Sequence, residues 1–300
     1  MDYGTLFIQQ IINGLHVGSI YALIALGYTM VYGIVKLINF AHGDIMMVGA
    51  YVAFVMMTAF NMNIVVALIV AVIFCSLLGM TIEKVAYKPL RKAPRMWALI
   101  TAIGVSFFLE STVMVLFGAN PKPFPAPPSK LITIGNLQFS QLMLISLALS
   151  VVLMIALERF IKTTRLGKAM RASSEDADAA ALMGISVNKT ISTAFVIGSA
   201  LAAIGGVLFA IAYPQIKPLM GMMPGLKAFI AAVLGGIGII PGAMLGGFLL
   251  GLIESLTKGF LSAFWPGATL WADAILFSIL ILVLLIKPSG ILGKNIKEKV

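Results

Sequence analysis

Polar residues are widely spaced along this chain, and many of the apolar intervals between them match the length of a bilayer crossing. Apolar runs fall near residues 8–31, 43–60, 64–82, 97–117, 141–158, 190–212, 226–240, 242–258 and 270–287. A helix rising 1.5 Å per residue needs about 20 residues to traverse the hydrocarbon core. The pattern predicts an all-α integral membrane protein, a polytopic bundle of eight to ten transmembrane or half-spanning helices in one domain over residues 1–300. The 226–240 run is short enough to be a re-entrant or half helix. The alternation that builds a membrane β-barrel is absent.

The polar intervals set a topology. Basic residues gather in three of them: Lys84, Lys88, Arg91, Lys92 and Arg95; then Arg159, Lys162, Arg165, Lys168, Arg171 and Lys189; then Lys287, Lys294, Lys297 and Lys299. Basic excess in short loops marks the cytoplasmic face. Segments 83–96, 159–189 and the C-terminus are therefore expected inside, 118–140 and 213–225 outside, and the N-terminus on the periplasmic side. The net charge of +10 is then a topology signal and not a nucleic-acid footprint. The opening "MDYGTLFIQQ" lacks a basic n-region and cleavage site, so it reads as a retained first span. The outer segment "NPKPFPAPPSK" carries Pro121, Pro123, Pro125, Pro127 and Pro128, which remove backbone donors and favour an extended path. It serves either as a stiff connector or as a docking edge for an external partner.

Small residues indicate close helix packing. Gly242 with Gly246, Gly247 with Gly251, and Gly198 with Ala202 stand four apart, the spacing that lets helix backbones approach in a membrane. Two interruptions stand out, "KLINFAHGD" early and Pro241 late. Broken segments in both halves of a transporter point to a translocation site. Similarity between the two is too weak for the sequence to establish a repeat.

Composition narrows the chemistry. Of 300 residues, 60% are hydrophobic and 11% charged, against about 25% charged in soluble domains. There is no phosphate-binding G-x-x-x-x-G-K-[ST] loop, no G-x-S-x-G elbow and no H-E-x-x-H pair, so any ATP hydrolysis must come from another subunit. Cys75, the single cysteine, lies in an apolar run and reads as a packing residue. Glu110 sits roughly 4.5 Å from the middle of its span, where a carboxylate costs on the order of 3 kcal/mol; it is either paired structurally or part of a pathway. Asn39, His42 and Asp44 either line a cavity beside unwound backbone or form a polar cytoplasmic turn, with Asp44 at the positive end of the second span. His42, Asp44 and Glu110 also admit a proton-coupled secondary transporter. Glu254 and Asp273 fall near predicted helix ends and are expected at the interface.

The most polar stretch is "RASSEDADAAALMG", residues 171–184. Ser173 and Asp176 form S-x-x-D, a capping-box-like signature, with Glu175 and Asp176 at the positive helix end. Ala177 and Ala179 to Ala181 propagate helix and Gly184 can end it. A short helix on the inner face follows, either solvated or bound to a partner.

Asp178-Ala179-Ala180, followed after three residues by Gly184, resembles the E-A-A-x-x-x-G loop of permease subunits in bacterial ABC importers. With "GSIYALIALGYTMVYGIVKLINFAHGD", "GLKAFIAAVLGGIGIIPGAMLGGFLLG" and the ending "KPSGILG", the whole chain resembles LivH-type permeases of branched-chain amino acid importers. Asp178 stands where glutamate is usual. The downstream I-x-L-P element is replaced by Ala194, Val196 and Ile197 at the corresponding spacing. The resemblance implies a non-catalytic subunit of the inner membrane, translocating leucine, isoleucine or valine. It also implies a related second permease, two cytoplasmic ATPase subunits holding ATP and Mg, a periplasmic binding protein and surrounding lipid. Arg171, Glu175, Asp178, Ala179, Ala180 and Gly184 would then form the ATPase-coupling segment, while this chain would bind no cofactor or metal.

Overall fold

The computed structural model describes residues 3–91, 93–265 and 267–293. Lys92, Lys294, Lys297 and Lys299 of the basic clusters lie outside the described residues, as does the side chain of Arg95. The helices in chain order are α1 (Tyr3–Val35), α2 (His42–Thr58), α3 (Ile64–Ile82), α4 (Arg95–Phe117), α5 (Gln141–Thr163), α6 (Arg165–Glu175), α7 (Ala177–Leu182), α8 (Val187–Ala212), α9 (Met222–Gly235), α10 (Ile240–Ser255) and α11 (Ala268–Ile286). Among the described residues, seven helices are long and apolar enough to cross a membrane. The apolar α2 and α9 have 17 and 14 residues, about 26 and 21 Å, short of the roughly 30 Å core. The chain is thus a polytopic helical membrane protein, with α9 as the half helix that the short 226–240 run suggested.

The short helices have a common cause: both begin inside the bundle. Helix α1 ends where Lys36 takes a left-handed φ of 56°, and residues 36–41 turn back along it. His42 then stacks edge-on against Tyr28 at 4.6 Å between ring centroids, seven residues before the end of α1. On the other side, residues 213–221 lead back inward from the end of α8 to the start of α9. The two helix starts abut, and a Cβ added at Gly43 or Gly221 would collide with the opposing backbone. Only glycine permits that approach. The late break that corresponds to "KLINFAHGD" is therefore 213–221. Pro241 instead opens α10 within its first turn, where its missing N–H costs nothing.

The two halves repeat in inverted orientation. The first runs long α1, short α2, then α3 extended by a π turn (Glu83–Tyr87) and a 3₁₀ turn (Lys88–Leu90), then α4. The second runs long α8, short α9, then α10 extended by a π turn (Leu256–Phe260) and a 3₁₀ turn (Leu261–Ala263), then α11. The halves clasp each other: α1 packs on α9 and α10, whereas α8 packs on α2 and α3. They cross where Gly198 meets Gly27. The four-residue glycine spacing resolves into two ridges. Gly242 and Gly246 face α9 at Gly235 and Ala231, while Gly247 and Gly251 face α1 at Ala22 and Gly18. Cys75 is buried against the backbone of α2.

One end of the bundle carries a small β structure. The proline-rich segment is extended as expected, and Lys122–Pro123 (β1) pairs antiparallel with Gln215–Ile216 (β4). Beyond the prolines the structure adds a hairpin, Leu131–Ile134 (β2) with Leu137–Ser140 (β3), turned by Gly135 at φ 62° and Asn136. The sequence reading contained no such hairpin. Helices α6 and α7 lie at the opposite end.

Candidate functional site

The polar segment 159–189 folds as two helices. Thr164 caps α6 by accepting from the Gly167 amide at 3.0 Å, and Gly167, Met170 and Ser173 form its buried face, while Arg165, Lys168 and Arg171 are exposed. Arg171 donates to the Lys162 carbonyl at 3.4 Å, tying α6 back to α5. The cap expected at Ser173 is displaced: Ser173 lies inside α6, and Asp176 breaks the chain with φ −149°. Its Oδ1 accepts from the amides of Asp178 and Ala179, both at 2.9 Å. The S-x-x-D spacing misled because α6 enters with its own cap and propagates through Ser173.

Helix α7 closes as anticipated at Gly184, whose φ is 82°. Ile185 donates to the Ala180 carbonyl and Gly184 to the Ala181 carbonyl, both at 3.0 Å, the paired bonds of a Schellman motif. Ala180 is buried and anchors α7 to the bundle, whereas Glu175, Asp178, Ala179 and Gly184 are exposed. Leu182 and Met183 at the tip are 89% and 83% exposed. The sequence reading passed over this apolar pair, although two large side chains beside a helix-ending glycine were legible. A cavity of about 620 Å³ lies behind α7, lined by Lys36, Arg91, Ser173, Glu175, Asp178 and Asn188 among others. It joins the end of α1 to the α6–α7 segment.

Asn39, His42 and Asp44 are all buried, and Asp44 occupies the first turn of α2. The Asn39 Oδ1 accepts from the Tyr87 hydroxyl at 2.9 Å. Asp44 Oδ2 accepts from Ser106 at 2.5 Å, and Glu110 lies beside the same carboxyl one turn farther along α4, with no hydrogen bond between the two carboxyls among the described residues. The structure thus brings Asp44 and Glu110 together. His42 stands apart against Tyr28, and no hydrogen bond joins it to Asp44 among the described residues.

Glu254 departs from the interfacial expectation. Helix α10 continues to Ala263, which puts Glu254 near the middle of a 24-residue span and leaves it 4% exposed. Its Oε1 accepts from Lys227 at 2.7 Å and also from Lys258, and its Oε2 accepts from the Tyr21 hydroxyl at 2.9 Å. Lys227 also lies 2.8 Å from Asp273, whose side chain is 40% exposed. Two cavities of about 380 and 280 Å³ flank this cluster at the hairpin end. The signal for it was Lys227 alone in the apolar run "GLKAFIAAVL", since an intramembrane lysine needs a partner.

Residues 10–284 match the family described as branched-chain amino acid transport system / permease component. The chain belongs to this family. It is 43% identical, over 98% of both chains, to the high-affinity branched-chain amino acid transport system permease protein LivH of Salmonella typhimurium and of Escherichia coli. The same identity and coverage relate it to BraD of Pseudomonas aeruginosa. A probable LivH of Methanocaldococcus jannaschii is 31% identical over 93% of this chain and 90% of its own. This permease is accordingly a multi-pass transport subunit and not an enzyme.

Proposed function

We propose that this permease carries branched-chain amino acids across a bacterial inner membrane as one subunit of an ABC importer. The observation that carries the reading is its 43% identity over 98% of its length to LivH and BraD. The α6–α7 end faces the cytoplasm, in keeping with the basic side chains of α6; α1 then starts on the periplasmic side and α11 ends on the cytoplasmic one. Leu182 and Met183 with Asp178 and Glu175 form the seat for one of two ATPase subunits, which hold ATP and Mg. A related second permease and a periplasmic binding protein complete the complex, and the hairpin end receives the binding protein. ATPase closure moves α7, and the cavity behind it transmits the push to α1 and the α1–α2 break.

Proteoliposomes containing the assembled complex should accumulate leucine, isoleucine and valine only with ATP. Leu182→Glu, which puts a charge on the seat, should lower uptake and substrate-stimulated ATP hydrolysis by about tenfold or more. Uptake driven by a proton gradient without ATP would overturn the reading in favour of a proton-coupled carrier using Asp44 and Glu110.

A further inference from the structure

The cluster around Glu254 is costly to bury and links α1, α9, α10 and α11. A lysine, a carboxylate and a tyrosine hydroxyl inside a span demand mutual satisfaction, and ionisable groups at that depth mark solute pathways. Here they also border open space. The cavity of about 280 Å³ is lined by Phe209, Leu219, Met220, Met223 and Pro224 together with Lys217, Lys227, Lys258, Glu254, Gln215, Tyr21 and Tyr213. The cavity is amphipathic, offering charges of both signs and several apolar side chains. That is the inverse image of a small zwitterion with an aliphatic side chain.

We propose that this cavity is a binding site for the head group of the transported amino acid, with Glu254 receiving the ammonium and Lys258 and Lys217 the carboxylate. The assignment rests on the importer reading above. Lys258 is the element that moves: its side chain is 39% exposed while Glu254 is 5% exposed, so it can leave Glu254 for the incoming carboxylate. The ammonium then takes the place Lys258 vacates on Oε1, giving an alternating chain of charges from Lys227 through Glu254 and the substrate to Lys258. No net charge enters the span. Lys217, which forms no ion pair among the described residues, adds a second cation for the carboxylate. The side chain of the substrate rests on Phe209, Met220 and Met223. A molecule lacking either charge would strand part of this chain, so selection is for both together.

The test uses Met223→Cys in the complete complex, because the single native cysteine, Cys75, is buried. A membrane-impermeant methanethiosulfonate reagent is applied to proteoliposomes from the hairpin side, with leucine, 4-methyl-2-hydroxypentanoate or 3-methylbutylamine as protectant. Leucine is expected to slow modification of Cys at 223, and the hydroxy acid and the amine to protect at least about tenfold less well, in line with loss of one charged hydrogen bond. Adding Lys258→Gln should shrink the difference between leucine and the amine, and adding Lys217→Gln as well should abolish it. The change at Lys258 leaves every buried charge paired, since Glu254 keeps Lys227 and Tyr21. Equal modification rates with and without leucine, in a complex whose unmodified form imports leucine with ATP, would overturn the site while leaving the importer reading intact. Equal protection by all three molecules would overturn the assignment of charges. If the unmodified complex imports no branched-chain amino acid, the importer reading fails, and the head-group site fails with it.

Discussion

Each half of this permease buries one glutamate beside a π turn, yet the two are wired differently. Glu83 in the first half is fully buried and has one base, Arg91, with Ser192 Oγ donating at 2.7 Å. Arg91 in turn reaches Asn188 at the start of α8. Glu254 in the second half has two lysines and a tyrosine, and one of those lysines has a further carboxylate. A single pair is brittle, because removing one member strands the other away from water. A redundant network tolerates exchange of partners. The halves share a fold but divide the labour: a fixed clamp at the α6–α7 end, and an exchangeable cluster at the hairpin end.

Three experiments would break or sharpen that division. Arg91→Ala should lower stability by about 3–5 kcal/mol, since it leaves a carboxylate of 0% side-chain exposure with a lone hydroxyl. Lys258→Ala should cost under about 1 kcal/mol, as expected for a partly exposed ion pair. Denaturation in detergent measures both, and equal losses would erase the distinction. A smaller effect is expected where the halves touch. Gly43→Ala should destabilise by about 1–3 kcal/mol through overpacking, whereas Gly104→Ala on α4, with nothing within 4 Å, should stabilise by about 0.5–1 kcal/mol. Thermal shifts of the same sign at both positions would show that the α2 and α9 starts do not abut as described. Smallest of all, Asp176→Ala should loosen α7 by about 1 kcal/mol. Hydrogen exchange should then quicken in 177–184, a segment without counterpart in either half, and leave the bundle unchanged; unaltered exchange would remove Asp176 as the cap.

Much of this architecture was legible in the chain. The apolar runs, read as eight to ten helices, located the spanning and half-spanning helices seen among the described residues because hydrocarbon enforces a length and a composition. Gly242, Gly246, Gly247 and Gly251 announced close packing, although spacing alone could not say that the first pair faces α9 and the second α1. What escaped was pairing at long range. Lys227 and Glu254 lie 27 residues apart, and Tyr21 and Glu254 are separated by 233; no local pattern links them. Glu254 was expected near a helix end because the apolar run was read as 242–258, whereas the helix continues through a π turn to Ala263. At the α6–α7 segment, Gly184 was identified correctly since only one residue type suits its φ. The cap was misplaced because serine and aspartate serve that role about equally well. Glu110 was recognised as unusual by its burial cost, and Asn39, His42 and Asp44 by their interruption of an apolar stretch. Only the structure shows that Asp44 meets Glu110 while His42 does not join them.

The position of α1 has a consequence for how the protein is made. It is synthesised first, yet Gly14, Gly18 and Tyr21 find their partners late, in α10, the tyrosine with Glu254 across 233 residues. Until α10 emerges, a helix that ends up central to the bundle must rest in lipid or against the insertion machinery with the Tyr21 hydroxyl unpaired and Gly14 and Gly18 unpacked. Chains truncated before α10 should therefore be captured by membrane quality control even though every span present is hydrophobic enough to insert. Biogenesis of this permease is committed only when the tenth helix closes over the first.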